Sequence, residues 1–396
     1  MPELDVMTER QTPAADSPPG TGTGKPLSVT GLRKTYGGGV TAVDEVSMEI
    51  AAGEFVTFLG SSGSGKTTTL MMIAGFCEPD SGSIVVGGRD VTRLAPQKRG
   101  LGFVFQQYLL FPHMTVWENV AFPLQLRDIP KAELRRRVGE TLEMAGLSGM
   151  ARRRPRELSG GQQQRVALCR ALVYRPPVIL MDEPLGALDK KLRDQLQTEI
   201  KRIQRELGLT VIYVTHDQEE ALVLSDRIAV MRDGRVDQFD TPRELFERPR
   251  TPFVADFLGA ANFLAGHVEE QTPDHTLVRL DTGGLLKARP QTAQAPAQTP
   301  RVRAAVQPGR LGLCPAGQGF CTGTVETVTY VGTLVRVTVR PAGGADTEPV
   351  RLELPAGRAP APGERVGLTA DPDDVSVFPD SVSAPELGVP APEQGR

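Results

Sequence analysis

The run Gly60-Ser61-Ser62-Gly63-Ser64-Gly65-Lys66-Thr67 spaces glycines, a lysine and a hydroxyl as G-x-x-x-x-G-K-[ST], a pattern suited to gripping phosphate. Glycines at these steps let the backbone curl until its N–H groups face phosphate oxygens, and a helix beginning at the loop's end adds its positive terminus. Lys66 would reach the β- and γ-phosphates of ATP, Thr67 would hold Mg²⁺, and Thr68 joins them at the start of the helix. A glycine turn with no ligand is the plain alternative. The setting speaks against it: the apolar EFVTFL stands directly before the loop and the helical TTLMMIAGF directly after.

A second chemical feature is Val-Ile-Leu-Met-Asp182-Glu183-Pro184, an apolar strand ending in two carboxylates, where a doubly wound sheet places its ligand groups. Asp182 can bind Mg²⁺ through the metal's water shell, and Glu183 can orient and polarise water for in-line attack on the γ-phosphate. An exposed acidic turn would look the same in isolation. The third feature is Leu158-Ser159-Gly160-Gly161-Gln162 before the helical QQRVALCRALV. Ser-x-x-Gln is a capping box, so a well-capped helix is one reading. Two glycines in a first turn each cost about 1 kcal/mol relative to alanine. That loss makes sense if something must come close, and a second nucleotide's phosphates would be favoured at the helix start.

These groups need a frame to hold them. Glu54–Leu59, Gly102–Phe105, Val178–Met181 and Thr210–Thr215 are nearly continuous apolar runs, as expected of strands buried on both faces. Leu192, Leu196, Ile200, Ile203 and Leu207 recur at three- and four-residue steps, giving one core-facing helical stripe with a purely structural role. The alternation of strands and helices from Leu27 to Leu264 predicts a parallel sheet covered by helices. Beyond it, GTVETVTYVG, LVRVTVRP, PVRLELP and VSVFPD predict one small β-barrel or a pair, interrupted by a Pro290–Pro300 loop. The expected organisation is a disordered leader over 1–26, an ATPase domain over 27–264, a barrel over 265–380 and a disordered tail over 381–396.

Bulk properties narrow the function classes. With 396 residues the chain suits two or three domains. Lys+Arg 45 against Asp+Glu 48 disfavours bulk electrostatic binding to nucleic acid or an acidic membrane. The basic clusters Arg135–Arg137 and Arg152–Arg154 with Arg156 read as solvated helix faces, without the aromatic interleaving of a nucleic-acid surface. The start is acidic and Pro-rich, and no stretch is long and apolar enough to span a bilayer, so a cytoplasmic chain is expected. Cys77, Cys169, Cys314 and Cys321 lack metal-site spacing, which fits a reducing compartment, with a Cys314–Cys321 bridge disfavoured.

The phosphate loop, LSGGQ, LMDEP, GALD and a strand ending in His216, in that order, resemble the ATPase subunit of the ABC transporter family over about Leu27 to Pro379. The resemblance implies an α/β P-loop (RecA-like) core with helical and antiparallel-β subdomains, followed by an OB- or TOBE-like barrel. It implies a head-to-tail pair closing two ATPs between the phosphate loop of one copy and Ser159, Gly160, Gly161 and Gln162 of the other. Tyr36 stands where the family stacks an aromatic on adenine, although a strand-edge tyrosine needs no such role. Gln106 matches the glutamine that senses Mg²⁺ and the channel-facing subdomain, with Gln107 beside it as an alternative. His216 matches the histidine that contacts the γ-phosphate, against the reading of a structural histidine at a strand end. Asp189 matches the residue communicating across the pair. Gly186 replaces that loop's usual serine and Ser61 a common proline, and neither change removes a catalytic group.

FVFQQYLLFPHMTVWENVAFPL, LSGGQQQRVALCRALV, EPLGALDKKLR and VIYVTHDQEEALVLSDRIAVM resemble importers of polyamines, ferric iron, phosphonates, sulfate and sugars, with GALDKKLR and THDQEEAL nearest the polyamine group. This implies two membrane-spanning permease subunits, an indirectly coupled solute-binding protein, no nucleic acid, and a peripheral place on the cytoplasmic face of the inner membrane. The Phe111–Trp117 region would receive the permease, unless Phe111, Met114 and Trp117 are simply core. In the barrel a familiar Arg-Pro-Glu is replaced by Cys314-Pro315-Ala316, so no inherited small-molecule regulatory site is expected. The rival from another class is a soluble ABC-type ATPase acting on DNA, ribosomes or an iron–sulfur assembly, which would favour tandem ATPase domains, a coiled-coil insertion or cysteine clusters.

Overall fold

The computed structural model describes residues 23–186, 189–290, 301–342 and 348–380. The expectations for the leader up to residue 22, for the tail and for the loop at 291–300 lie outside them. Residues 23–25, placed in the leader by their composition, instead donate main-chain hydrogen bonds to Leu207, Gly208 and Pro177 carbonyls at 3.2, 3.0 and 3.1 Å. Their N–H groups find acceptors, which small polar side chains do nothing to announce.

A six-stranded sheet carries the site. Its order is Arg235–Asp240, Arg227–Arg232, Phe55–Leu59, Thr210–Thr215, Val178–Asp182 and Gly102–Val104. All neighbours run parallel except the first two. Both faces are buried, which is why these strands read as unbroken apolar runs. One face sends Val56, Phe58, Val178, Leu180, Ile212 and Val214 toward the helix Lys66–Ala74 and a four-stranded antiparallel sheet built from residues 27–90. The other sends Phe55, Ile179, Met181, Val211 and Tyr213 against Ala167, Leu168, Leu196, Ile200 and Ile203 of the helices Gly160–Leu172 and Lys190–Leu207. Alternation along each strand thus serves two cores.

A helical layer follows, with Val120, Leu124, Val138, Leu142, Val166 and Cys169 in one cluster. Its helix Val116–Gln125 starts at a capping box between Thr115 and Glu118. Among the described residues no helix is long and apolar enough to cross a membrane.

The C-terminal part contains two five-stranded antiparallel sheets sharing one core of Val, Leu, Ala and Phe side chains. Cys314 pairs with Gly367 while Cys321 pairs with Leu368 of the same strand. Neighbouring strand residues face opposite ways, so the two thiols lie on opposite faces of this sheet. Asn262, at the start of the strand Asn262–Gln271, ties one of these sheets to the other: its Nδ2 donates to the Val306 and Arg351 carbonyls at 3.3 and 2.8 Å, and its Oδ1 accepts from the Arg351 N–H at 2.7 Å.

Candidate nucleotide site

The phosphate loop fills the turn between Phe55–Leu59 and Lys66–Ala74, at the carboxyl end of the parallel sheet. Gly65 has φ 97°, and a Cβ there would lie 2.5 Å from the Ala42 carbonyl oxygen, so only glycine fits. Lys66 is 5 % exposed; its Nζ donates to the Gly60 and Ser61 carbonyls at 2.9 and 2.7 Å. Burial holds its ammonium below the ordinary lysine value, opposed by the nearby Glu183 and Asp182 charges. The Ser64 hydroxyl is buried without a hydrogen-bond partner among the described residues. Ser61 and Ser62 are exposed at the rim with Gly63, at φ 81°, behind the turn.

The next strand brings the carboxylates to the loop. Thr67 Oγ1 donates to Asp182 Oδ1 at 3.3 Å. Burial raises the Asp182 carboxyl, with the Thr67 hydroxyl pulling it back down. A hydroxyl and a carboxylate this close suit Mg²⁺, which takes few protein ligands and keeps waters and phosphate oxygens for the rest. Glu183 adopts φ 42°, a left-handed conformation costing a non-glycine residue roughly 1–2 kcal/mol. Its N–H is held by the Val214 carbonyl at 3.0 Å. The turn aims its carboxylate outward: Oε2 accepts from Gln106 Nε2 at 3.2 Å and Oε1 lies 3.1 Å from His216 Nδ1. Three residues from three strand ends therefore converge, and Gln106, rather than Gln107, hydrogen-bonds to Glu183.

Tyr36 lies at the rim, 46 % exposed, with its hydroxyl 3.7 Å from Cys77 Sγ. That thiol is the chief cause of a raised Tyr36 phenol, and Thr68 opposes it. No local pattern ties Cys77 to Tyr36, 41 residues away in the chain.

The signature segment is built differently. Ser159 caps Gly160–Leu172: its Oγ accepts the Gln162 N–H at 3.4 Å while Gln162 Oε1 accepts the Ser159 N–H at 3.0 Å. Among the described residues, the hydrogen bonds and ion pairs of Ser159, Gly160, Gly161 and Gln162 do not reach the phosphate loop. A Cβ on Gly161 would sit 2.8 Å from Leu192 Cδ1. The missing side chain at Gly161 thus makes room for the chain's own next helix, a reason the sequence hid. Asp189 caps that helix, Oδ1 accepting from the Leu192 N–H at 3.0 Å.

The parallel sheet, the phosphate loop and the paired carboxylates define a P-loop nucleotide-hydrolase fold. The ABC transporter family matches residues 43–186 and the TOBE domain residues 304–378. The chain is 48% identical over 350 residues to the spermidine/putrescine import ATP-binding protein PotA of Rubrobacter xylanophilus, covering 88% of this chain and 93% of that one. It is 47% identical over 312 residues to the Fe(3+) ions import ATP-binding protein FbpC of Agrobacterium fabrum, covering 78% and 86%. Among solved structures, the dimeric post-hydrolysis state of the ATP-binding cassette MJ0796 bound to ADP and Pi aligns with TM-score 0.50 at 38% identity, over 55% of this chain and 99% of that one. CbiO1 from Clostridium perfringens, part of the ABC transporter complex cbiONQ, aligns with TM-score 0.53 at 31% identity, over 56% and 90%. The chain belongs to the ABC transporter family as one of its ATP-binding subunits.

Proposed function

We propose that the chain drives import of a polyamine of the spermidine/putrescine class, hydrolysing ATP beneath permease subunits on the cytoplasmic side of a membrane. The observation carrying the hydrolytic part is the meeting of Gln106 and His216 on Glu183 beside the phosphate loop. The cargo rests on polyamine importers matching nearly the whole length of the chain.

In this reading the loop N–H groups and the positive start of Lys66–Ala74 hold the phosphates of ATP, and Tyr36 stacks on adenine. Lys66 exchanges the Gly60 and Ser61 carbonyls for the β- and γ-phosphate oxygens. Thr67, Asp182 and Gln106 would hold Mg²⁺, which supplies charge neutralisation on the phosphates. Glu183 orients the attacking water and draws on its proton, while His216 steadies Glu183 and the γ-phosphate. A second copy, head to tail, brings Ser159, Gly160, Gly161 and Gln162 over the same phosphates, with Asp189 at the seam.

A groove of about 470 Å³ lined by Phe103, Phe105, Leu109, Phe111, Phe122 and Tyr174 is the docking place for a permease segment. Phe111 lines this groove, whereas Trp117 packs on the helical core. The groove is lined by Phe105, the residue before Gln106, and in this reading its occupation acts on the placement of Glu183.

Tagged chain purified from its own membranes tests the proposal: permease subunits should accompany it, and a loaded polyamine-binding protein should raise the assembly's ATPase rate. Stimulation by ferric, phosphonate, sulfate or sugar binding proteins instead would reassign the cargo. Capture of ribosomes or DNA factors without permease would overturn the import reading.

A further inference from the structure

The helix Lys190–Leu207 looked purely structural, yet one face of its first turn reaches the segment that carries His216. Arg193 donates its backbone N–H to the Asp189 carbonyl at 2.9 Å. Its guanidinium extends the other way, Nη1 donating to Asp217 Oδ2 at 2.9 Å, with Nε 3.6 Å from Glu220 Oε1. Asp217 follows His216 directly and caps the next helix, its Oδ1 accepting the Glu220 N–H at 3.1 Å. Thr215 precedes His216; its Oγ1 donates to Glu220 Oε2 at 2.9 Å and accepts the Asp217 N–H at 3.0 Å. Tyr213 completes the group, donating its hydroxyl to Glu220 Oε2 at 2.8 Å.

Both neighbours of His216 are therefore fixed by one network, and Arg193 ties that network to the turn after Asp189. The imidazole itself is 63 % exposed, with a hydrogen bond to Glu183 Oε1. A ring held this lightly takes its position from its backbone. Glu220 is 2 % exposed, and a buried carboxylate with an arginine is no stability gain over well-packed apolar residues. Its use is orientation.

We infer that Arg193 is a positioning residue: it locks the His216 segment to the Asp189 turn, so that His216 meets Glu183 in register with whatever contacts Asp189. This rests on the proposed roles of Glu183 and His216. It goes beyond them by assigning a task to a helix that touches neither.

The test is steady-state ATP hydrolysis by the full-length chain carrying Arg193→Gln, Arg193→Lys, His216→Ala and the double substitution Arg193→Gln with His216→Ala. Arg193→Gln should lower kcat roughly 10- to 100-fold, the scale of a misplaced catalytic group, and change ATP affinity less than about twofold. Arg193→Lys, which keeps the charge but not the two-point reach, should recover part of the rate. In the His216→Ala background Arg193→Gln should cost nothing further, because the two act through one step. Additive losses, or a rise in KM at unchanged kcat, would overturn the inference and leave the site reading standing. Normal hydrolysis by His216→Ala would overturn the site reading, and with it the role given to Arg193. Should Arg193→Gln fail to fold, Arg193→Lys carries the same comparison.

Discussion

The phosphate loop and the signature segment both use a helix start, yet they treat polar groups in opposite ways. At the loop, Lys66 is folded onto the carbonyls of its own turn, Ser64 has a buried hydroxyl without a partner among the described residues, and Glu183 sits in a left-handed conformation. At the signature, Ser159 and Gln162 satisfy one another and Gly161 is pressed by Leu192. One end holds an unpartnered hydroxyl and backbone strain beside the loop, while the other is a cap satisfied within its own helix start. The difference teaches that half a site can be recognised by what is left unsatisfied within it. In the proposed pairing, the other half would show itself only through the copy it meets.

The largest effect that bears on this contrast is at Glu183. Glu183→Gln keeps the hydrogen-bond geometry but removes the base, and hydrolysis should fall about 10²- to 10⁴-fold, with ATP still bound in an equilibrium assay. Ordinary turnover by this variant would remove Glu183 from the chemistry. A mixing experiment addresses the division of the site between copies. Lys66→Ala disables the loop, while Gly160→Asp repels phosphate with a charge that a helix start tolerates. Each variant alone should be inactive. An equal mixture should regain about a quarter of normal activity, because half of the two-fold pairs would carry one intact composite site. No recovery would mean that the signature does not serve a partner's nucleotide.

Gly161→Ala should destabilise the chain by about 1–3 kcal/mol, the range for overpacking, read as a lower denaturation midpoint. Adding Leu192→Ala should relieve the clash; an unchanged midpoint in Gly161→Ala alone would show that Leu192 moves aside freely. The smallest effect is on thiol reactivity. Cys169, inside the signature helix, is fully buried with its thiol pushed up to about 12, so it should resist alkylation at pH 8 in the folded chain. Cys77, half-buried beside Tyr36, should react and be shielded by ATP. Equal reactivity of the two would contradict the burial of the signature helix.

The sequence revealed most of the sheet because strands buried on both faces leave unbroken apolar runs, as at Thr210–Thr215. It placed the phosphate loop and Glu183 because each pattern is local, a few residues at the end of one apolar strand. Distance in the chain hid the rest. Arg193 and Asp217 are 24 residues apart and Gly161 is 31 positions before Leu192, so a regular apolar stripe on one helix and a capping box on another concealed long-range packing. The choice between Gln106 and Gln107 was equally closed to pattern, since only the turn after Gly102–Val104 decides which amide faces Glu183.

Asn262 makes each of its three hydrogen bonds to main-chain atoms, at Val306 and at both polar groups of Arg351. The Val306 side chain takes no part in these bonds, whereas the Arg351 guanidinium adds a contact of its own, Nη2 donating to the Ala260 carbonyl at 3.4 Å. A seam held by main-chain atoms lets the apolar side chains of the two C-terminal sheets vary around it, with one asparagine as the part on which both sheets depend.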